Sequence, residues 1–424
     1  MAISANPSPK PSAGADSRLS GLNSWILLLG TAGSLVLPSG YSYAPVFLLL
    51  CSLTLLWQRP RLDLSRDDRV LLLLLTGYFA LNLAYGLVAD VPGRAYEGYS
   101  RFLLAAPVLL VLLAHPPKPG FWWLGVALAA LAAGLSALWH KWGLGQVRVG
   151  KAMNPIQFGA ISVIMSGFCA AGLAWARLQP RSRLWTGLMV AGFLSGLVAA
   201  LLSGARGGWL VLPVIIGLCI WQYRGDFLKH HLWVALAAML VALVLAYLTP
   251  QTGVQHRLHL AMEELSSYRN HGQSESSVGV RLAMWRAGLE LAAEKPLVGW
   301  GDESFLRPLQ ERVAHPRTRR MIGTFDHLHN ELLDAQVKRG LLGSLGLLAL
   351  YFVPLVLFGR RLRQGLPESR GYALAGVLLV VGAVVVGLTQ SFFSHNSGVT
   401  FYAFSLVIIW SLLRRAERVR EAKV

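Results

Sequence analysis

Charge is scarce in this sequence. Asp, Glu, Lys and Arg make up 14% of its 424 residues, against 54% for the hydrophobic types, whereas ordinary soluble domains carry about 25% charged residues. So little charge cannot cover a solvated surface, which excludes a soluble globular protein, and the apolar content excludes a disordered one. Cysteine is scarcer still. Cys51, Cys169 and Cys219 all fall inside apolar runs, which argues against a disulfide framework and a thiolate metal site and leaves them as small buried hydrophobes. No HExxH, paired DxD, Walker A, GxSxG or dinucleotide-binding pattern occurs, so energy from a bound nucleotide is not expected.

Long apolar runs are what the chain has instead. Twelve candidate spans lie near 22–37, 44–57, 70–88, 101–114, 121–139, 155–176, 185–203, 207–223, 232–249, 340–358, 372–392 and 400–413, which reads as a polytopic bundle of membrane helices. The first run follows a 21-residue polar lead, long for a signal peptide, and is taken as a retained helix. The formal charge of +18 has a topological explanation. Short loops on one side hold 21 Lys and Arg residues, and those on the other side hold 5. The bias places both termini in the cytoplasm and makes a nucleic-acid partner unnecessary.

Residues 250–339 break the pattern. This polar stretch on the non-cytoplasmic side carries 12 basic and 11 acidic residues and six of the eleven histidines. A loop of such length inside a compact protein is usually functional. Its spacing predicts an amphipathic helix over 279–296 and a second over 330–339, with Gly340 as its cap or as a point the helix runs through into the next span.

Polar groups at membrane depth mark candidate sites. Arg206 sits among Ser203, Gly204, Ala205, Gly207 and Gly208, small neighbours that let a bulky anion approach; the alternative is an interfacial arginine reaching for lipid headgroups. Arg281 and Arg286 stand about 140° apart on a helix and could flank one anion with forks that match phosphate oxygens; the alternative is a solvated face paired to Glu290. His329 precedes Asn330, a candidate helix cap. The positive end of a helix favours a neutral imidazole there, able to accept a hydroxyl proton, with Asp326 or Glu331 orienting the ring. Capping alone, or metal binding through the His327–His329 pair, are the alternatives, but two histidines are too few for a zinc site.

The segment His329-Asn330-x9-Gly340-x2-Gly343 resembles the histidine motif of the O-antigen ligase family. Ser203–Gly208 resembles the family's small-residue-and-arginine element, and Arg281, Trp285-Arg286 and Lys295–Gly301 resemble a stretch shared with related polymerases. The resemblance implies an all-α protein of the bacterial inner membrane with about twelve transmembrane helices. Residues 1–21 and 414–424 are then cytoplasmic tails, 22–249 helices one to nine, 250–339 a periplasmic catalytic loop and 340–413 helices ten to twelve. It implies metal-independent, inverting transfer of O-antigen from undecaprenyl diphosphate to lipid A-core, with no cofactor and with membrane lipids as neighbours. Arg206, Arg281 and Arg286 would hold the diphosphate, His329 would be the general base, and Asn330, Asp326 and Gly340 would support it. The rivals are an O-antigen polymerase or a protein O-oligosaccharyltransferase using the same donor, and a transporter. A transporter would place its charges nearer the bilayer midplane.

Overall fold

A computed structural model describes residues 13–60, 62–89, 93–146, 149–150, 153–223, 234, 237, 240–241, 244–245, 247–271, 276–364 and 366–422. Before the polar insert come α1 (Ala13–Ala32), α2 (Tyr43–Ser52), α3 (Thr54–Gln58), α4 (Arg66–Val88), α5 (Glu97–Ala114), α6 (Pro119–Leu138), α7 (Pro155–Ala176), α8 (Ser182–Leu202), the single turn α9 (Arg206–Trp209) and α10 (Val211–Tyr223). The insert holds α11 (Val254–His271), α12 (Ser277–Glu294), α13 (Leu306–Glu311) and α14 (Pro316–Ile322). Then follow α15 (Glu331–Gln364), α16 (Pro367–Gly387) and α17 (Asn396–Glu421).

Among the described residues there is no strand, and ten helical stretches are long and apolar enough to cross a membrane. The fold is therefore an all-α polytopic membrane bundle. Of the twelve expected spans, 232–249 lies largely outside the described residues. The first, 22–37, falls in α1, which begins earlier and ends at Ala32; α1 is not among the ten.

Helix α7 is the axis of the bundle. In it 94% of the most apolar window is buried, and it lies against α6, α8 and α16. Small residues make the close approach possible: Ser166 Oγ donates to Phe193 O across the α7–α8 contact at 2.7 Å. Charges lock α4, α15 and α17 together at one end. Asp68 is wholly buried. It completes a capping box with Ser65 and accepts from Trp410 Nε1 at 2.7 Å and Arg414 Nε at 3.2 Å. Arg361 bridges Asp67 and Glu417 at 3.0 and 2.8 Å.

The insert sits at the opposite end and has a small core of its own. Val280, Met284, Ala287 and Leu291 of α12 meet Phe305, Leu309, Ile322 and Leu328, each large apolar side chain contributing about 1.5–3 kcal/mol by burial. This is the amphipathic helix the spacing predicts over 279–296. Ser276 Oγ caps it by accepting from Gly279 N at 3.0 Å, and it ends before Pro296.

The second expected helix and the tenth apolar run form one rod, α15, broken at Gly340. There φ is +62° and ψ −152°, a region that is essentially glycine-only. Residues 296–301 cross the break and take the freed backbone groups. Trp300 N donates to Val337 O at 2.8 Å, Gly301 N to Lys338 O at 2.9 Å and Leu341 N to Pro296 O at 2.8 Å. Tyr85 Oη of α4 donates to Val298 O at 2.9 Å and Lys338 O at 2.8 Å, joining the clasp to the bundle. A Cβ on Gly340 would stand 2.3 Å from Leu297 C and O, and one on Gly299 2.6 Å from Lys338 O. Gly340→Ala is therefore expected to cost about 3 kcal/mol or more, from strain plus clash. Thermal unfolding in detergent checks this, with Gly359→Ala, where nothing lies within 4 Å, as the near-neutral control.

Candidate active site

The turn leading into α15 holds a residue in a conformation that side chains resist. His329 has φ +53°, in the left-handed region, which costs a non-glycine residue of order 1–3 kcal/mol. Hydrogen bonds on both sides hold the turn. Leu328 N donates to Asp334 Oδ1 at 2.9 Å and Trp285 Nε1 to Leu328 O at 2.9 Å. Lys338 Nζ donates to Asp326 O at 2.7 Å and pairs with Asp334 at 2.9 Å. Asn330 Oδ1 accepts from Leu333 N at 3.0 Å, capping α15 as its place in the sequence suggests. Asn330 Nδ2 also donates to Leu388 O, at 3.3 Å.

The turn delivers the buried His329 ring to the connection between α16 and α17. Nδ1 lies 2.8 Å from Gln390 Oε1. A carboxamide oxygen only accepts, so Nδ1 carries the proton and Nε2 keeps its lone pair. Gln390 Nε2 donates in turn to His395 Nε2 at 2.9 Å. On the other flank His327 Nε2 is 3.2 Å from His329 Nδ1, and His327 Nδ1 donates to Asp326 Oδ1 at 2.6 Å. A carboxylate and two imidazoles thus form one chain.

Burial, the neighbouring His327 and the Arg281 guanidinium push the His329 pKa down to about 4, the Gln390 hydrogen bond opposing them. His395 is likewise pushed down to about 4, chiefly by burial. Asp326 is held well below the usual carboxylate range by its hydrogen bond to His327. His329 is consequently an uncharged imidazole at neutral pH.

The structure brings one of the three sequence-predicted arginines, Arg281, toward this ring and sets the turn of a second, Arg206, against the connection between α16 and α17. Arg281 is half-buried on α12 one turn before Trp285, close enough to depress the His329 pKa. Arg206 opens α9, and its Nη1 lies 3.1 Å from Glu264 Oε2 of α11. The following Gly207 is pressed on Thr389, whose Oγ1 is 2.4 Å from where a Cβ would stand, one position before Gln390. Arg257 Nη1 donates to Gly204 O at 3.1 Å, fixing α11 over the Arg206 turn. Arg286 is not gathered in: its side chain is 83% exposed and faces Glu290 at 3.8 Å. Gly340 acts through the backbone break, and Asp326 through His327.

Beside the histidines lies a cavity of about 1070 Å³, whose lining includes Phe325, Asp326, His395, Tyr99, Asp302 and Arg339. Arg339 donates to both oxygens of Asp302 at 2.6 Å and lies 4.5 Å over the Tyr99 ring. Sequence reasoning missed Gln390, His395 and this pair. Thr389-Gln390-Ser391 closes the eleventh apolar run, and polar residues at that depth were the available signal. Asp302 and Arg339 gave none, because 37 positions separate them.

Helical spans and a capped, strained histidine turn define a polytopic membrane protein with an arginine–histidine site at one bundle end. Residues 191–348 match the family model described as O-antigen ligase, a range that holds Arg206, Arg281, Arg286, Asp326, His329, Asn330 and Gly340. Over this range the chain is similar to the O-antigen ligase family. It is 30% identical over 193 residues to a protein of Escherichia coli strain K12 called O-antigen ligase, covering 45% of this chain and 43% of that one. It is 29% identical over 377 residues to an uncharacterized protein of Haemophilus influenzae, covering 87% and 92% of the two chains.

The depressed His329 pKa has a measurable consequence. The acid limb of kcat/KM is expected below pH 6, under the ordinary histidine value of about 6.5. In Arg281→Ala the limb moves up, because a positive neighbour that disfavours protonation is gone. A pH–rate profile of the two proteins checks both statements.

Proposed function

We propose that this protein transfers O-antigen polysaccharide from undecaprenyl diphosphate to lipid A-core at the periplasmic face of the bacterial inner membrane, with both termini in the cytoplasm and residues 250–339 on the periplasmic side. One observation carries the reading. His329 is held neutral, with its Nδ1 proton on Gln390, beside Arg281 and in the segment that matches the family.

In this reading His329 Nε2 takes the proton of the acceptor hydroxyl as that oxygen attacks the anomeric carbon. The bond from that carbon to the diphosphate breaks on the opposite face, which inverts the centre. The diphosphate departs as the better-stabilised anion because fixed guanidinium groups await it. Arg281 and Arg206 supply them, Arg206 exchanging Glu264 for phosphate oxygens. Arg286, on the solvent side of the same helix as Arg281, takes the lesser part. The new imidazolium keeps its Nδ1 hydrogen bond to Gln390, with the Asp326–His327 chain next to it. Donor binding also tunes the base: a diphosphate near Arg281 offsets the charge that depresses His329 and raises its pKa toward neutrality, where a general base is most effective. The reaction needs neither a metal nor a cofactor, since the diphosphate is its own activation.

The test is transfer by purified protein in detergent, from undecaprenyl-diphosphate-linked glycan to lipid A-core, with no ion gradient. His329→Ala is expected to lose about 10²–10⁴-fold in kcat at an unchanged donor KM. Arg206→Ala and Arg281→Ala are each expected to raise the donor KM about tenfold or more through lost charge-assisted bonds. Wild-type turnover by His329→Ala would sink the mechanism. Glycan appearing only on a second lipid-linked glycan, or only on a protein, would make the enzyme a polymerase or a protein O-oligosaccharyltransferase.

A further inference from the structure

Five polar groups form one hydrogen-bonded line through the histidine turn. Asp326 Oδ1 accepts from His327 Nδ1 at 2.6 Å. His327 Nε2 faces His329 Nδ1 at 3.2 Å, and the same His329 Nδ1 faces Gln390 Oε1 at 2.8 Å. Gln390 Nε2 faces His395 Nε2 at 2.9 Å. His327, His329 and Gln390 are buried, so water does not freely replace a member, and the protons must agree along the whole line.

Four of the five groups are reversible. An imidazole carries its proton on either nitrogen, and a carboxamide turned end for end exchanges its acceptor for its donors. In one direction His327 Nδ1–H donates to Asp326, His329 Nδ1–H is shared by His327 Nε2 and Gln390 Oε1, and Gln390 Nε2–H donates to His395 Nε2. His329 Nε2 then keeps a lone pair for a hydroxyl proton. In the other direction His395 donates to Gln390, while Gln390 and His327 both donate to His329 Nδ1. The His329 proton then sits on Nε2, where it blocks the base. Both directions keep the bonds among the four neutral groups. They differ at the end of the line, because the reverse one turns the His327 Nδ1 lone pair on a carboxylate, a group that only accepts. That end stays charged: the His327 hydrogen bond, with the charge of Lys338, holds the Asp326 carboxyl well below the usual carboxylate range. Lys338 reaches it from α15, its Nζ donating to Asp326 O at 2.7 Å. The Asp326 side chain is itself 89% exposed, so packing does not account for its place beside His327.

We propose that Asp326 is a positioning residue that sets the direction of this line and so keeps the proton of His329 on Nδ1, acting through His327 without touching substrate. The proposal rests on the glycan-transfer reading above and adds to it the group that decides whether its base is usable. A carboxylate at the surface thereby fixes a tautomer two imidazoles away, with no charge placed on the base itself.

The experiment uses the full-length protein in detergent and has two readouts. One is steady-state transfer from undecaprenyl-diphosphate-linked glycan to lipid A-core. The other is the nitrogen-15 spectrum of histidine-labelled protein at neutral pH, the His329 signals being identified by their loss in His329→Gln. Asp326→Asn replaces the acceptor-only end by a reversible carboxamide. It is expected to lower kcat about tenfold, the effect of losing a charge-assisted bond, at unchanged donor KM, acceptor KM and melting temperature, and to put a protonated share on His329 Nε2. Asp326→Glu restores an acceptor-only end and recovers most of that loss. His327→Gln cuts the line next to Asp326 and costs as much as Asp326→Asn, and the two together cost no more than either alone. Wild-type kcat with an unprotonated Nε2 in Asp326→Asn overturns the assignment, and so do losses that add in the double variant. If the wild-type protein transfers no glycan, it is the glycan-transfer reading that fails, and the nitrogen spectrum still decides the direction of the line.

Discussion

At Gly340 a membrane helix is interrupted at φ +62° and ψ −152°, and the backbone groups it releases are taken by residues 296–301. Everything at this end of the bundle is placed by that exchange. Unpaired backbone groups near hydrocarbon cost several kcal/mol each, so the break and the crossing segment require one another. The close approach is possible because neither Gly299 nor Gly340 has a Cβ. Since 296–301 follows directly on α12, the clasp fixes that helix, and with it Arg281 and Trp285, against the turn that carries His329. Tyr85 transmits the same register to α4, whose other end is held by Asp68.

From this frame the electrostatics follow. A histidine in a buried site beside a guanidinium does not hold a second proton at neutral pH, and Gln390 decides which nitrogen keeps the first. The backbone strain at His329 is met by hydrogen bonds donated by Trp285 and Lys338 and accepted by Asp334 and Asn330, three of them to or from α15 itself. Position, tautomer and charge of the ring are thus set by different elements. Arg206, Arg281 and Arg286 stand outside the carboxylate-lined cavity beside the histidines.

Much of this was legible beforehand because it is written in local pattern. Apolar runs gave the membrane helices, the spacing of Val280, Met284, Leu289 and Ala292–Ala293 gave α12, although Leu289 turns out exposed, and Asn330 announced a cap. Arg206, Arg281 and His329 stood out as polar groups among small or apolar neighbours. Arg286 was equally visible, yet spacing around a helix does not say which side faces the protein, and it points to solvent. The α15 break showed the same limit: Gly340 could be read as a cap or as a point of passage, and the choice depended on a strand of chain 40 residues earlier.

What the sequence by itself determined is the class of molecule, since composition and periodicity act through solvent alone: too few charges for water, enough apolar length for lipid, and one polar insert that must lie outside. The tertiary structure decided the chemistry of the site. Gln390 meets His329 across 61 positions and Arg339 meets Asp302 across 37; no local rule couples such pairs. A base becomes usable only when remote groups fix its proton, its field and its accessible face, and those contacts exist only once the helices are packed.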